Sequence, residues 1–151
     1  MNRNKRGTGA SEVIISVFVI VYIFLPLFST IVQKAVLYHQ ADRIKQTVEM
    51  AVISLITDND VPSFSSGYLS VNTDYETLKQ KVFDELYLLT SDMLEIQKQN
   101  INISIYQSGN ICTCGYCNSH FMIATDIDAV LDFFGKRPFS VHKHIEFPII
   151  K

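Results

Sequence analysis

VIISVFVIVYIFLPLFSTIV, residues Val13 to Val32, carries no charge. Roughly 20 apolar residues is the length a helix needs to cross a hydrocarbon core of about 30 Å. The run does not stop in a turn. It passes through Gln33 and Lys34 into AVLYHQADRIKQTVEMAVISLIT, where Leu37, Ala41, Ile44, Val48, Ala51, Val52 and Leu55 recur at three- and four-residue steps. That spacing places them on one face of a helix. Ser11 to Thr57 contains no glycine and a single proline, Pro26. The expectation is one long helix, apolar all round over 8–33 and apolar on one stripe over 34–57.

Charge orients the segment. Arg3, Lys5 and Arg6 precede the apolar run, and Lys34 alone follows closely. By the positive-inside rule the N-terminus faces the cytoplasm and residues 34–151 lie outside the cell membrane. The apolar run exceeds the short core of a secretory signal, and STIVQKAV offers no small-x-small cleavage site. The net charge of −2 gives no basic field for nucleic acid. His39 falls at headgroup level on the helix.

Downstream of the helix the pattern changes. DNDVPSFSSGYLSVN, residues 58–72, is rich in serine with one proline and one glycine, and reads as a loop. Thr73 and Glu76 form a capping box that opens a second helix over 73–97, with Tyr75, Leu78, Val82, Leu86, Leu89 and Met93 as its stripe. Residues 101–151 read as a sheet region. Ile101, Ile103 and Ile105 alternate with polar residues, His120 to Thr125 suggests a second strand, and Phe139 to Phe147 a third. Ile127 to Phe134 is expected as a short helix or turn crossing the sheet. The fold class is therefore α+β: a long membrane-spanning helix continuing as a spine, packed on a second helix and a small antiparallel sheet.

The residues before the apolar run add a motif. Lys5-Arg6-Gly7 is followed by Thr8-Gly9-Ala10-Ser11-Glu12, so a cut after Gly7 would make Glu12 the fifth mature residue. A basic leader ending in glycine, a glutamate at that spacing and then an apolar helix resembles the type IV prepilin pattern. It is most similar to the TadE-type pseudopilins of tight-adherence pilus systems. The closing GKRPFSVHKHIEF is similar to small TadE-type proteins as well. The resemblance implies a leader at 1–7, processing between Gly7 and Thr8 by a prepilin peptidase, and a pilin-like domain outside the membrane. It also implies assembly in which Glu12 pairs with the new amine of Thr8 on a neighbouring subunit. The partners would be other pilin-like subunits, the inner-membrane assembly platform and the lipid bilayer. On residues alone, Glu12 is equally a headgroup-level carboxylate favouring the helix N-terminus.

One stretch suggests chemistry of another kind. Cys112, Cys114, Cys117 and His120 are spaced so that three thiolates and an imidazole could surround one tetrahedral zinc. A local disulfide, with Cys114–Cys117 as the easiest pair, and free thiols are the competing readings. His142 and His144 share one face of the last expected strand and could join a metal set with His120. No Ser/His/Asp arrangement, paired catalytic carboxylates or phosphate loop stands out, so no enzyme and no other cofactor is expected.

Overall fold

The computed structural model describes residues 8–59 and 75–147. Gly7, the loop through Asn72 and the capping Thr73 lie outside them. The side chains of Thr8 and Leu55 are likewise outside the description. The chain divides into two compact units, one ending at His39 and the other starting at Gln40.

The described part of the first unit is helical throughout. Helix α1 spans Thr8–Val19, a π-helical turn spans Ile20–Phe24, and helix α2 begins at Leu25 and runs to Asn59. The helical path from Gly9 to Ser54 is long and apolar enough to cross a membrane. Val13, Phe18, Tyr22, Phe24, Leu27 and Ile31 are all exposed. The π turn has a local cause in Pro26, which has no N–H to give its own preceding turn. Directly before it the N–H of Leu25 donates to Ile20 O, five residues back. Just beyond, the Thr30 hydroxyl donates to Pro26 O at 2.5 Å, supplying a side-chain donor to the helix backbone.

The second unit combines the rest of α2 with a helix and a sheet. Helix α3 spans Tyr75–Tyr87, and the strands are β1 (Leu94–Tyr106), β2 (Phe121–Asp132) and β3 (Lys136–Phe147). The sheet is antiparallel in the order β1-β2-β3. Ile44, Val48, Ala51 and Val52 of α2 are buried with Leu78, Val82 and Leu86 of α3 against one sheet face. That face presents Ile101, Ile103, Ile123, Ile127, Val141 and Ile145. At its margin Lys143 Nζ meets Glu49 Oε2 at 2.7 Å, tying β3 to α2.

Two expected boundaries are corrected. The second helix stops at Tyr87 rather than at residue 97. Leu89 and Thr90 close its last turn by donating to Leu86 O and Tyr87 O, and the Thr90 hydroxyl also donates to Tyr87 O. Leu94, Glu95 and Ile96 then pair with Leu131, Val130 and Ala129. Tertiary pairing thus overrides a helical periodicity that continued through Leu89 and Met93. Of the segment 127–134, expected as a helix or turn, residues 127–132 instead continue β2, with Ile127, Ala129 and Leu131 inward and Asp126, Asp128 and Asp132 outward, and Phe133 and Phe134 form the bend that leads into β3. As central strand, β2 is hydrogen-bonded on both sides along this length. Strand β1 carries an irregularity between Ile96 and Ile101. It shifts the inward positions from Leu94 and Ile96 to Ile101 and Ile103, so both halves keep their apolar residues on the core side.

The α2 stripe should hold the second unit together. Ile44→Ala is expected to lower the stability of the full chain in detergent by about 2–5 kcal/mol, the usual loss for a buried Ile. Met50→Ala, on the exposed side of α2, should change it by no more than about 0.5 kcal/mol. Denaturant unfolding followed by near-ultraviolet circular dichroism of the tyrosines measures both, and equal effects would contradict the packing.

Candidate metal centre

Alternation in β2 and β3 gives the sheet a second face. Opposite the core, β3 presents Ser140, His142, His144 and Glu146, paired in register with Asp128, Asp126, Ala124 and Met122 of β2. The connection from β1 to β2, residues 107–120, folds over this outer face. Its own hydrogen bonds shape it. Gly109 N donates to Asn118 O at 3.0 Å, and Asn118 N donates to Asn110 O at 3.2 Å. The Asn118 side chain donates to Gln107 O at 2.8 Å and His120 O at 2.6 Å, locking both ends of the loop. At the tip, Cys112 N donates to Tyr116 O and Gly115 N donates to Cys112 O, both at 2.8 Å. Gly115 takes φ +88°, a left-handed conformation a side chain would resist. Cys112 is 3% exposed and packs with Met122, Ala124 and Tyr106 in a small second core.

This fold-over brings Cys112, Cys114, His142 and His144 together. One donor atom from each lies within 4.8 Å of every other. Cys114 Sγ is 3.3 Å from His144 Nε2, Cys112 Sγ is 3.7 Å from His142 Nε2, and the two Nε2 atoms are 2.6 Å apart. Two thiols and two imidazoles form a set that could bind a metal ion such as zinc. Both rings are held from behind. His142 Nδ1 hydrogen-bonds Asp126 Oδ1, which directs its Nε2 toward the thiols. His144 stacks on Tyr116, with ring centroids 4.8 Å apart.

The electrostatics suit thiolate chemistry. Burial pushes the Cys112 thiol up, but hydrogen bonds from the backbone of Cys114 and from the side chains of His144, Thr113 and Cys114 outweigh it and hold it at about 6. Burial pushes His142 down, and the hydrogen bond and charge of Asp126, with those of Cys112, outweigh it and raise it. The charge of Glu146 and a hydrogen bond to it raise the Tyr116 phenol.

The loop set expected from sequence is only half of this one, and the expected strand set of His120, His142 and His144 supplies the other half without His120. Cys112 and Cys114 belong to the cluster. Cys117 pairs by backbone with Ile111 and has an exposed side chain, and His120 lies 3.8 Å from Glu146, outside the cluster. All three cysteines are free thiols. Glu12 lies in α1 and is exposed. The signal that finds the other half was present in the chain, because His142 and His144 alternate with Val141 and Ile145 and must leave the core together. What sequence spacing could not supply was that the loop doubles back onto that face. Compared with known protein families, with curated proteins and with solved structures, the chain matches none.

A direct titration checks the geometry. In metal-free full chain, one of the three thiols should ionise with a midpoint at about 6, read as thiolate ultraviolet absorbance, and Cys112→Ser should remove that step. Because the folded value is depressed, the stability this group contributes is complete above the ordinary thiol range near 8.5 and is lost as pH falls through about 6. A profile in which all three thiols titrate in the ordinary range would contradict the arrangement.

Proposed function

We propose that the chain is a membrane-anchored structural protein of pilin-like plan, a subunit that assembles through its N-terminal helix. One observation carries this reading. A single helix, α2, begins in an exposed apolar segment and later supplies Ile44, Val48 and Val52 to the core of a small antiparallel sheet. An anchor and a folding spine are thus made from one element, which suits a subunit held by its helix while its domain faces outward. The basic residues ahead of Gly7, and Glu12 at the start of α1, support the finer reading of a tight-adherence pilus or secretion subunit. In it, the lipid bilayer, a prepilin peptidase, other pilin-like helices and an inner-membrane platform are the partners. The Glu12 carboxylate, costly to leave unpaired among lipid tails, would find the Thr8 amine of a neighbour.

A second reading is favoured by the four-residue cluster on the outer sheet face. In it the chain stays unprocessed, as a single-pass anchor for a small metal-binding domain. The mature N-terminus separates the two. Coexpression with a prepilin peptidase should give a mass lacking residues 1–7, with Thr8 first. An intact Met1 would leave the second reading standing and remove the first, whereas a cut near Ala35 would strip the anchor and remove both. If the first holds, Glu12→Ala should insert and be cleaved normally yet recover fewer copurifying pilin-like helices. Recovery at the wild-type yield would reduce Glu12 to a boundary residue.

A further inference from the structure

The chain joins its β1–β2 loop to β3 through Cys112, Cys114, His142 and His144, four groups that lie about 30 residues apart along the chain in two pairs. We propose that these residues are a structural zinc site, with Asp126 as the positioning residue for His142, and that the ion staples the loop to the outer face of the sheet. This inference is independent of whether the N-terminal segment is processed.

The distances carry it. In a tetrahedral zinc site with Zn–S near 2.3 Å and Zn–N near 2.05 Å, a sulfur and a nitrogen stand about 3.5 Å apart. The two loop-to-strand pairs here are 3.3 and 3.7 Å apart, on either side of that value. Two zinc-bound nitrogens stand about 3.35 Å apart by the same geometry. The Nε2 pair at 2.6 Å therefore opens by about three-quarters of an ångström to accept the ion. Two sulfurs and two nitrogens in a tetrahedral arrangement select zinc over magnesium or calcium, which take oxygen. The surroundings are those of a ligand set and not of two exposed histidines. Asp126 engages His142 Nδ1, the outer partner a metal-binding imidazole ordinarily has. Tyr116 fixes the plane of the His144 ring. Four protein ligands fill a zinc coordination sphere, so the site is closed and its role structural.

The need for a staple is visible in the same region. Apart from Cys112 and the stacking of Tyr116 on His144, the apolar cover between the loop and the sheet is Met122, Ala124 and Tyr106. That is little buried area against the conformational entropy of ordering residues 107–120. A metal cross-link between distant segments restrains the loop without requiring a larger core.

The full chain in detergent micelles, purified with a mild reductant, is titrated with Zn2+ and with Co2+. Stoichiometric binding of one ion per chain is expected, with a tetrahedral Co2+ spectrum whose charge-transfer band matches two thiolates. With zinc bound, one thiol should react rapidly with a thiol reagent, and all three should react after chelation. Chelation should also open residues 107–120 to limited proteolysis. Cys114→Ser and His144→Asn should each weaken zinc binding by more than about 100-fold, beyond the range of outer-partner changes. Asp126→Asn should keep the stoichiometry and the two-thiolate spectrum while weakening binding by about 10–100-fold. Cys117→Ser and His120→Gln should leave affinity and spectrum unchanged. The wild-type readouts stand even if a variant fails to fold. The assignment is overturned if the wild type takes up no stoichiometric metal, or if its three thiols react alike with zinc present. It is overturned as well if Cys117→Ser or His120→Gln causes the loss instead.

Discussion

A three-stranded sheet has two faces and too few residues to bury either by itself, and the second unit is organised by that constraint. One face is closed by helix, with Ile44, Val48 and Val52 from α2 and Leu78, Val82 and Leu86 from α3 lying fully buried over the isoleucines of β1 to β3. Burying each such side chain contributes about 1.5–3 kcal/mol, so the helical stripe outweighs any single polar contact in the unit. The Glu49–Lys143 pair at its margin is partly exposed and adds orientation more than stability. Among the described residues, the other face receives no helix. It is covered by a loop held largely through its own backbone and through Asn118, and this lets polar groups with donor atoms gather there.

The two faces make opposite demands of the same strands, and period-two alternation meets both. Val141 and Ile145 turn inward while His142 and His144 turn outward, and Asp126 and Asp128 of β2 meet His142 and Ser140 across the strand pair. Four heteroatoms thereby converge with one carboxylate behind them. The depressed Cys112 thiol follows from the same convergence, since the donors that surround it favour the thiolate despite burial.

How much of this was legible in the chain depends on the range of the signal. The uncharged run and the three- and four-residue spacing of Ile44, Val48 and Val52 are local, and the long helix with its buried stripe follows from them. The alternation around Ile101–Ile105 and Phe139–Phe147 is local too, and it places a small antiparallel sheet after the helices. Thr90-Ser91-Asp92 is a turn without glycine or proline, so the end of α3 left a weak mark and Leu89 and Met93 carried the helical period past it. Asp126-Ile-Asp-Ala-Val-Leu-Asp132 alternates, but whether a strand extends through it depends on partners on both sides, which lie elsewhere in the chain. The metal set divides in the same way. Neighbouring cysteines are easily seen together, whereas a thiol and an imidazole joined by a folded-back loop are related only through the register of three strands.

That register has a consequence of its own. A slip of β3 by one residue past β2 would exchange its faces, sending His142 and His144 toward the isoleucine core and Val141 and Ile145 toward the cysteines. The alignment that closes the isoleucine core is thus the same one that gathers the four donor atoms on the outer face.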